Sequence, residues 1–151
     1  MPWQEAPAFY KSLDDKSLPQ LALRLLMLTG FRSHPIRHAH FDVIDDDIWT
    51  IPGEKMKGRK GKTADFRVPL TSEARHVIEL ASGQQRDGHI FPGVKRGVIS
   101  DASMARLMER RGLEARPHGF RSTLRVWLTE CQQASREVAE TIIAHQTGSL
   151  T

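Results

Sequence analysis

The chain has 151 residues, enough for one domain with a real core, since a chain of this size buries roughly 70% of its unfolded surface. Lysine and arginine outnumber aspartate and glutamate 22 to 18, giving a formal net charge of +4 and a pI near 9.6; this leans towards a polyanionic partner such as nucleic acid but is too small to decide without clustering. A single cysteine, Cys131, excludes an internal disulfide and a thiolate metal cage, and the most apolar run, Leu21 to Leu28, is broken by Arg24 and is far too short to span a bilayer. With no charged-then-apolar leader at the amino terminus, the expected setting is cytoplasmic, with no membrane partner.

Along the chain, Ser17-Leu18-Pro19-Gln20 carries a capping-box pattern with an early proline, and Gly30 offers a stop after Thr29. The helix between them is apolar nearly all round and is expected to be buried, delivering Phe31 and Arg32 from its end. Phe41 to Pro52 and Phe66 to Leu70 read as strands, with a turn at Asp45-Asp46-Asp47: Ile48-Trp49-Thr50-Ile51 is β-branched and aromatic, and Phe66, Val68 and Leu70 alternate with Arg67 and Pro69. Between these strands, Lys55, Lys57, Arg59, Lys60 and Lys62 put five positive charges into eight residues flanked and interrupted by glycines, which reads as a basic hairpin tip. Helices are then expected over Ser72 to Ala81, Asp101 to Arg111, Pro117 to about Cys131, and Ser135 to about His145. The fold class is mainly α with a small antiparallel β-sheet (α+β).

The segment from Pro117 to Leu128 carries the most chemistry. At helical spacing Phe120, Leu124, Trp127, Leu128 and Cys131 share one face, whereas His118, Arg121 and Arg125 gather on another. His118 falls in the first turn, where unpaired N–H groups and the helix dipole favour an anion. A lone H-x-x-R pattern is more often a solvated basic edge than a site; its weight depends on the rest of the chain.

Thr29-Gly30-Phe31-Arg32, the basic hairpin, Pro117-His118-Gly119-Phe120-Arg121 and Ala144-His145 occur in that order, and together they resemble the catalytic domain of tyrosine site-specific recombinases, the phage integrases, most closely those of prophages. The resemblance runs over nearly the whole chain: "LALRLLMLTG", "IWTIPGEKMKGRKGKTADFRVPL", "HIFPG", "PHGFRSTLRVWLTE" and "IIAHQ". It implies the DNA breaking-rejoining fold and a site made of Arg32, Lys57, His118, Arg121 and His145. The insert before Arg67 blurs the hairpin register, so Lys60 and Lys62 remain alternatives to Lys57. Arg32 and Arg121 match the family's phosphate-clamping arginines, whose planar donors suit the non-bridging oxygens of a phosphodiester. His118 would assist proton transfer, the hairpin lysine would protonate the departing 5′ oxygen, and His145 would bond the scissile phosphate. Lys55, Arg59, Lys60, Lys62 and Arg125 are expected to contact DNA. The resemblance implies neither metal nor any other cofactor, double-stranded attachment-site DNA as partner, and tetramers on paired sites for the whole protein.

The sequence also departs from the pattern. Pro35 stands where many members carry a carboxylate that orients the first arginine, which puts the support of Arg32 in question. His34, His38 and His40 invite a metal reading, but no cysteine lies near and the His38–His40 gap fits no common structural-zinc spacing, so solvated or DNA-facing histidines are expected. His145 follows Val138 at helical spacing and could pack in the core as well as bond phosphate. The family nucleophile is a tyrosine on the helix after the His145 position, whereas the sole tyrosine here is Tyr10, upstream of every motif and expected to pack structurally. The expectation is a single catalytic domain over residues 1–151, without the amino-terminal core-binding and arm-binding domains or the tyrosine segment, and inactive in strand cleavage by itself. Two other classes compete: a DNA-binding module derived from a recombinase but lacking chemistry, and a metal-dependent phosphohydrolase using the histidines.

Overall fold

The computed structural model describes residues 1–51, 65–132 and 135. The elements run α1 (Ala6–Lys11), α2 (Leu18–Thr29), α3 (Ser33–Arg37), β1 (Ile44–Asp45), β2 (Ile48–Ile51), β3 (Phe66–Pro69), α4 (Ser72–Ser82), α5 (Ala102–Arg110) and α6 (Gly119–Glu130), with short 3-10 turns at Trp3–Glu5 and Phe41–Val43. The mainly helical architecture with one small antiparallel sheet agrees with the sequence.

Helix α2 is the hub. Its continuous run Leu21, Ala22, Leu23, Leu25 and Leu26 is removed from solvent, and the helix touches α3, α4, α5 and α6. A helix hydrophobic on every side needs neighbours on every side, and each fully buried leucine contributes about 1.5–3 kcal/mol. Helix α4 packs Ala74, Val77, Ile78 and Ala81 towards it, the spacing visible in the sequence, and α5 adds Met104, Leu107 and Met108.

The entry to α2 differs from the capping-box expectation. Ser17 is the N-cap but makes no side-chain cap. Asp14 instead orders the turn before the helix: its carboxylate accepts from the backbone N–H of Lys16 (2.9 Å) and Ser17 (2.8 Å) and from the Gln20 side chain (2.9 Å). Gln20 completes the loop by accepting from the Asp14 N–H at 2.8 Å.

The sheet has the order β1-β2-β3, all antiparallel, with Trp49 opposite Val68 and Ile51 opposite Phe66. Trp49 and Ile51 point inward while Ile48 is exposed, and on β3 Phe66 and Val68 are half-buried while Arg67 and Pro69 face out. The first expected strand is shortened: Phe41–Val43 is a 3-10 turn, not strand, because the His40 side chain caps it by accepting from the Asp42 N–H. The aspartate turn lies at Asp46, whose positive φ of 56° closes the β1–β2 hairpin. Pro117 and His118 lie just before α6 rather than inside it. The strand extension to Pro52, the basic hairpin tip and the helix from Ser135 to His145 fall outside the described residues.

Candidate active site

Helix α2 ends on Gly30, whose φ of 71° is left-handed and whose N–H bonds the Leu26 carbonyl at 2.7 Å. That reversal turns the chain out of the helix without steric cost only for a residue lacking Cβ. It sends Phe31 into the core, where its ring meets Trp49 edge-on at 5.2 Å and Phe66 at 6.0 Å. Arg32 follows as the N-cap residue of α3, half-buried. Among the described residues its side chain makes neither a hydrogen bond nor an ion pair.

Arg121 comes from the other end of the chain. It lies on the first turns of α6, 3% exposed, and its Nη1 donates to the Gly30 carbonyl at 2.7 Å. The expectation that Arg121 belongs to a solvated edge beside His118 and Arg125 is therefore corrected: it is buried in the fold, while His118 is exposed and Arg125 half-buried. The helix turns its arginine inward because α6 packs on α2 and the Gly30 carbonyl, exposed by the left-handed turn, is an acceptor within reach. One bond thus ties the H-x-x-R helix to the carbonyl two residues before Arg32. Nothing local in the sequence marks this partner, which is 91 positions away.

Helix α3, unforeseen in the sequence, braces the segment after Arg32. Ser33 donates to Asp101 at 2.9 Å, Arg37 bonds the Ser33 hydroxyl at 3.0 Å and the Ile99 carbonyl at 3.3 Å, and Arg37 pairs with Asp101 at 3.6 Å. Pro35 sits inside α3. The carboxylate nearest in role, Asp101, holds the helix rather than Arg32.

The histidines divide. His34 and His38 stack with ring centroids 4.0 Å apart. His40 turns away: its Nδ1 accepts from Asp42 N–H and its Nε2 meets the Asp87 carbonyl at 2.8 Å, which selects the tautomer protonated on Nε2. His38 and His40, but not His34, border a cleft of about 280 Å³ that Pro35, Trp49, Ile51 and His89 also line. Among the described residues no group of three or more His, Cys, Asp or Glu is arranged to hold a metal ion, and no helix is long and apolar enough to cross a membrane.

Tyr10 occupies a structural network with α2 and α4. Its hydroxyl donates to Glu73 at 2.8 Å and its ring lies under the Arg24 guanidinium at 5.1 Å; Arg24 also pairs with Asp15 (2.6 Å) and Glu73 (3.2 Å). Burial pushes the Tyr10 hydroxyl above its usual pKa, partly offset by Arg24, and the bond from Tyr10 holds Glu73 below the usual carboxylate range. Lys55, Lys57, Arg59, Lys60, Lys62 and His145 lie outside the described residues.

This fold is that of tyrosine recombinase catalytic domains. Lambda integrase (residues 75–356), a dimer bound to a COC′ core site, superposes with a TM-score of 0.69 at 15% identity, over 100% of this chain and 59% of that one. XerH site-specific recombinase bound to its difH substrate gives 0.70 at 15% identity, over 99% and 48%. The Tn1549 transposon integrase in complex with circular intermediate DNA gives 0.73 at 14% identity, over 99% and 59%. The chain thus spans about half to three-fifths of the length of these proteins. A sequence search of curated proteins finds no match. The model of the phage integrase family matches residues 3–151, and the chain belongs to that family.

Proposed function

We propose that this domain is the phosphate-gripping part of a site-specific DNA recombinase that, as a whole protein, cuts and rejoins strands through a 3′-phosphotyrosine intermediate to integrate or excise mobile DNA. The observation that carries the reading is the bond from Arg121 to the Gly30 carbonyl, which brings the second motif arginine to the peptide that leads into Arg32. Guanidinium forks on two segments tied by this bond suit a phosphodiester under in-line attack, where charge builds on the non-bridging oxygens. In that reaction the tyrosine oxygen bonds phosphorus, the bond from phosphorus to the 5′ oxygen breaks, and the leaving oxygen takes a proton. His118, exposed at the mouth of α6, fits assistance with the nucleophile's proton. Lys57, or else Lys60 or Lys62, fits protonation of the leaving oxygen, and His145 a bond to the phosphate. Lys55, Arg59 and Arg125 fit contacts to the DNA backbone, with no metal or nucleotide cofactor required.

The nucleophile of this reaction is not among the 151 residues on this reading, because Tyr10 is committed to Glu73 and Arg24. The DNA complexes of lambda integrase, XerH and the Tn1549 integrase support double-stranded DNA as partner, and the lambda integrase tetramer on a Holliday junction supports assembly of the whole protein into tetramers. The test is a suicide substrate nicked beside the cleavage site. A longer chain of this protein bearing a tyrosine beyond the His145 position should form a covalent band, and the 151-residue chain should form none. A covalent band from the 151-residue chain, or cleavage by the longer chain that survives loss of both Arg32 and Arg121, would overturn the reading in favour of different chemistry. A non-catalytic DNA-binding module predicts a third pattern, binding without cleavage by either chain.

A further inference from the structure

The segment from Phe91 to Ile99 folds back on itself and is held at three levels. Pro92 bridges Val98, the Ile99 N–H bonds the Phe91 carbonyl at 3.0 Å, and the Gly93 N–H bonds the Gly97 carbonyl at 2.9 Å. Gly93 is required by closeness: a Cβ there would stand 2.5 Å from the Arg96 carbonyl and 2.9 Å from that of Val98. Arg86 braces the loop from outside, donating to the Gly93 carbonyl at 2.9 Å. The tip so formed carries Val94, fully exposed, and then Lys95 and Arg96, both exposed and, among the described residues, without a side-chain hydrogen bond or ion pair.

The loop is tied to the candidate site. Its last residue, Ile99, accepts from Arg37 on α3, and Asp101 beyond it holds Ser33, the residue after Arg32. The nearest carboxylate at the loop's foot, Asp101, is already engaged by Ser33 and Arg37. Two adjacent cations on a loop that needs no ordering bind polyanions with little entropic cost.

We propose that the 93–98 loop is a contact to the double-stranded DNA backbone additional to the arginine pair, with Lys95 and Arg96 each neutralising a phosphate. The inference rests on the recombinase reading for its choice of polyanion. The test is fluorescence anisotropy of the 151-residue chain on a labelled duplex across a salt series. Replacing both residues (K95A/R96A) should weaken binding about tenfold or more and flatten the dependence of log K on log salt by about 1.8, with each single variant giving about half of that slope change. The control R106A/R110A removes the same charge from exposed positions further along α5 and should change affinity less than about twofold. Equal effects of the two double variants would overturn the proposal. If R32A/R121A weakens binding and K95A/R96A does not, the loop inference fails alone; the reverse result supports the loop and counts against the arginine-pair reading; no duplex binding by the unaltered chain overturns both.

Discussion

Arg121 and Gly30, 91 residues apart in the chain, are joined by a 2.7 Å bond from guanidinium to carbonyl, and Gly30 is held left-handed at φ 71°. The bond makes the helix bearing Arg121 and the turn leading into Arg32 one unit. Disturbing either partner is expected to disturb both arginines.

Replacing Gly30 by alanine should cost about 1–2 kcal/mol from left-handed strain. It should also weaken duplex binding, because the carbonyl that anchors Arg121 shifts. Thermal melts and anisotropy on the same preparation check this; unchanged binding in a destabilised variant would separate the turn from the site.

Arg32 and Arg121 should part company in stability measurements. Arg121→Ala leaves the buried Gly30 carbonyl without its partner and is expected to cost about 1–3 kcal/mol. Arg32→Ala removes no side-chain bond among the described residues and should stay within about 0.5 kcal/mol of the original. Both should weaken DNA binding, so urea unfolding alongside anisotropy distinguishes structural from functional loss.

Phe31 is the aromatic keystone between α2 and the sheet, buried against Trp49 and Phe66. Phe31→Ala should destabilise by about 3–5 kcal/mol, and Phe31→Leu by less, since it keeps most of the volume. The readout is the urea midpoint at constant slope.

Asp14 supplies an acid-side stability dependence. Its carboxyl is held below the usual aspartate range, chiefly by the bond it accepts from the Ser17 N–H. The unfolded chain therefore takes up the proton first, and this contribution is present above the unfolded value and lost as pH falls through the folded one. Asp14→Ala should remove that part of the acid limb and lower neutral-pH stability by about 0.5–1.5 kcal/mol through the lost bonds. Urea titrations at several pH values test it; an unchanged acid limb counts against the assignment.

Tyr10→Phe should cost about 0.5–1.5 kcal/mol through the lost bond to Glu73, while the ring stays under Arg24. It should leave DNA binding and the absence of a covalent adduct unchanged. Loss of a DNA-dependent signal on this substitution would reassign Tyr10 to the chemistry.

Elements whose cause is local or periodic were legible along the chain. The leucine run of α2, the glycine that stops it, the alternation around Trp49 and Val68 and the apolar stripe of α4 each follow from side chains within a few positions of one another. The ordered motifs that carry the family were legible in the same way. What the sequence concealed depends on partners far along the chain. Asp14 gathered the turn before α2, His40 turned a strand into a 3-10 turn, and α3 formed where Ser33 and Arg37 could reach Ile99 and Asp101. Helical spacing put Arg121 on a basic edge because spacing knows nothing of a carbonyl 91 residues upstream. Only the packing of α6 on α2 brings that carbonyl within reach, and with it decides that Arg121 is a buried anchor beside the turn to Arg32 rather than a solvated charge.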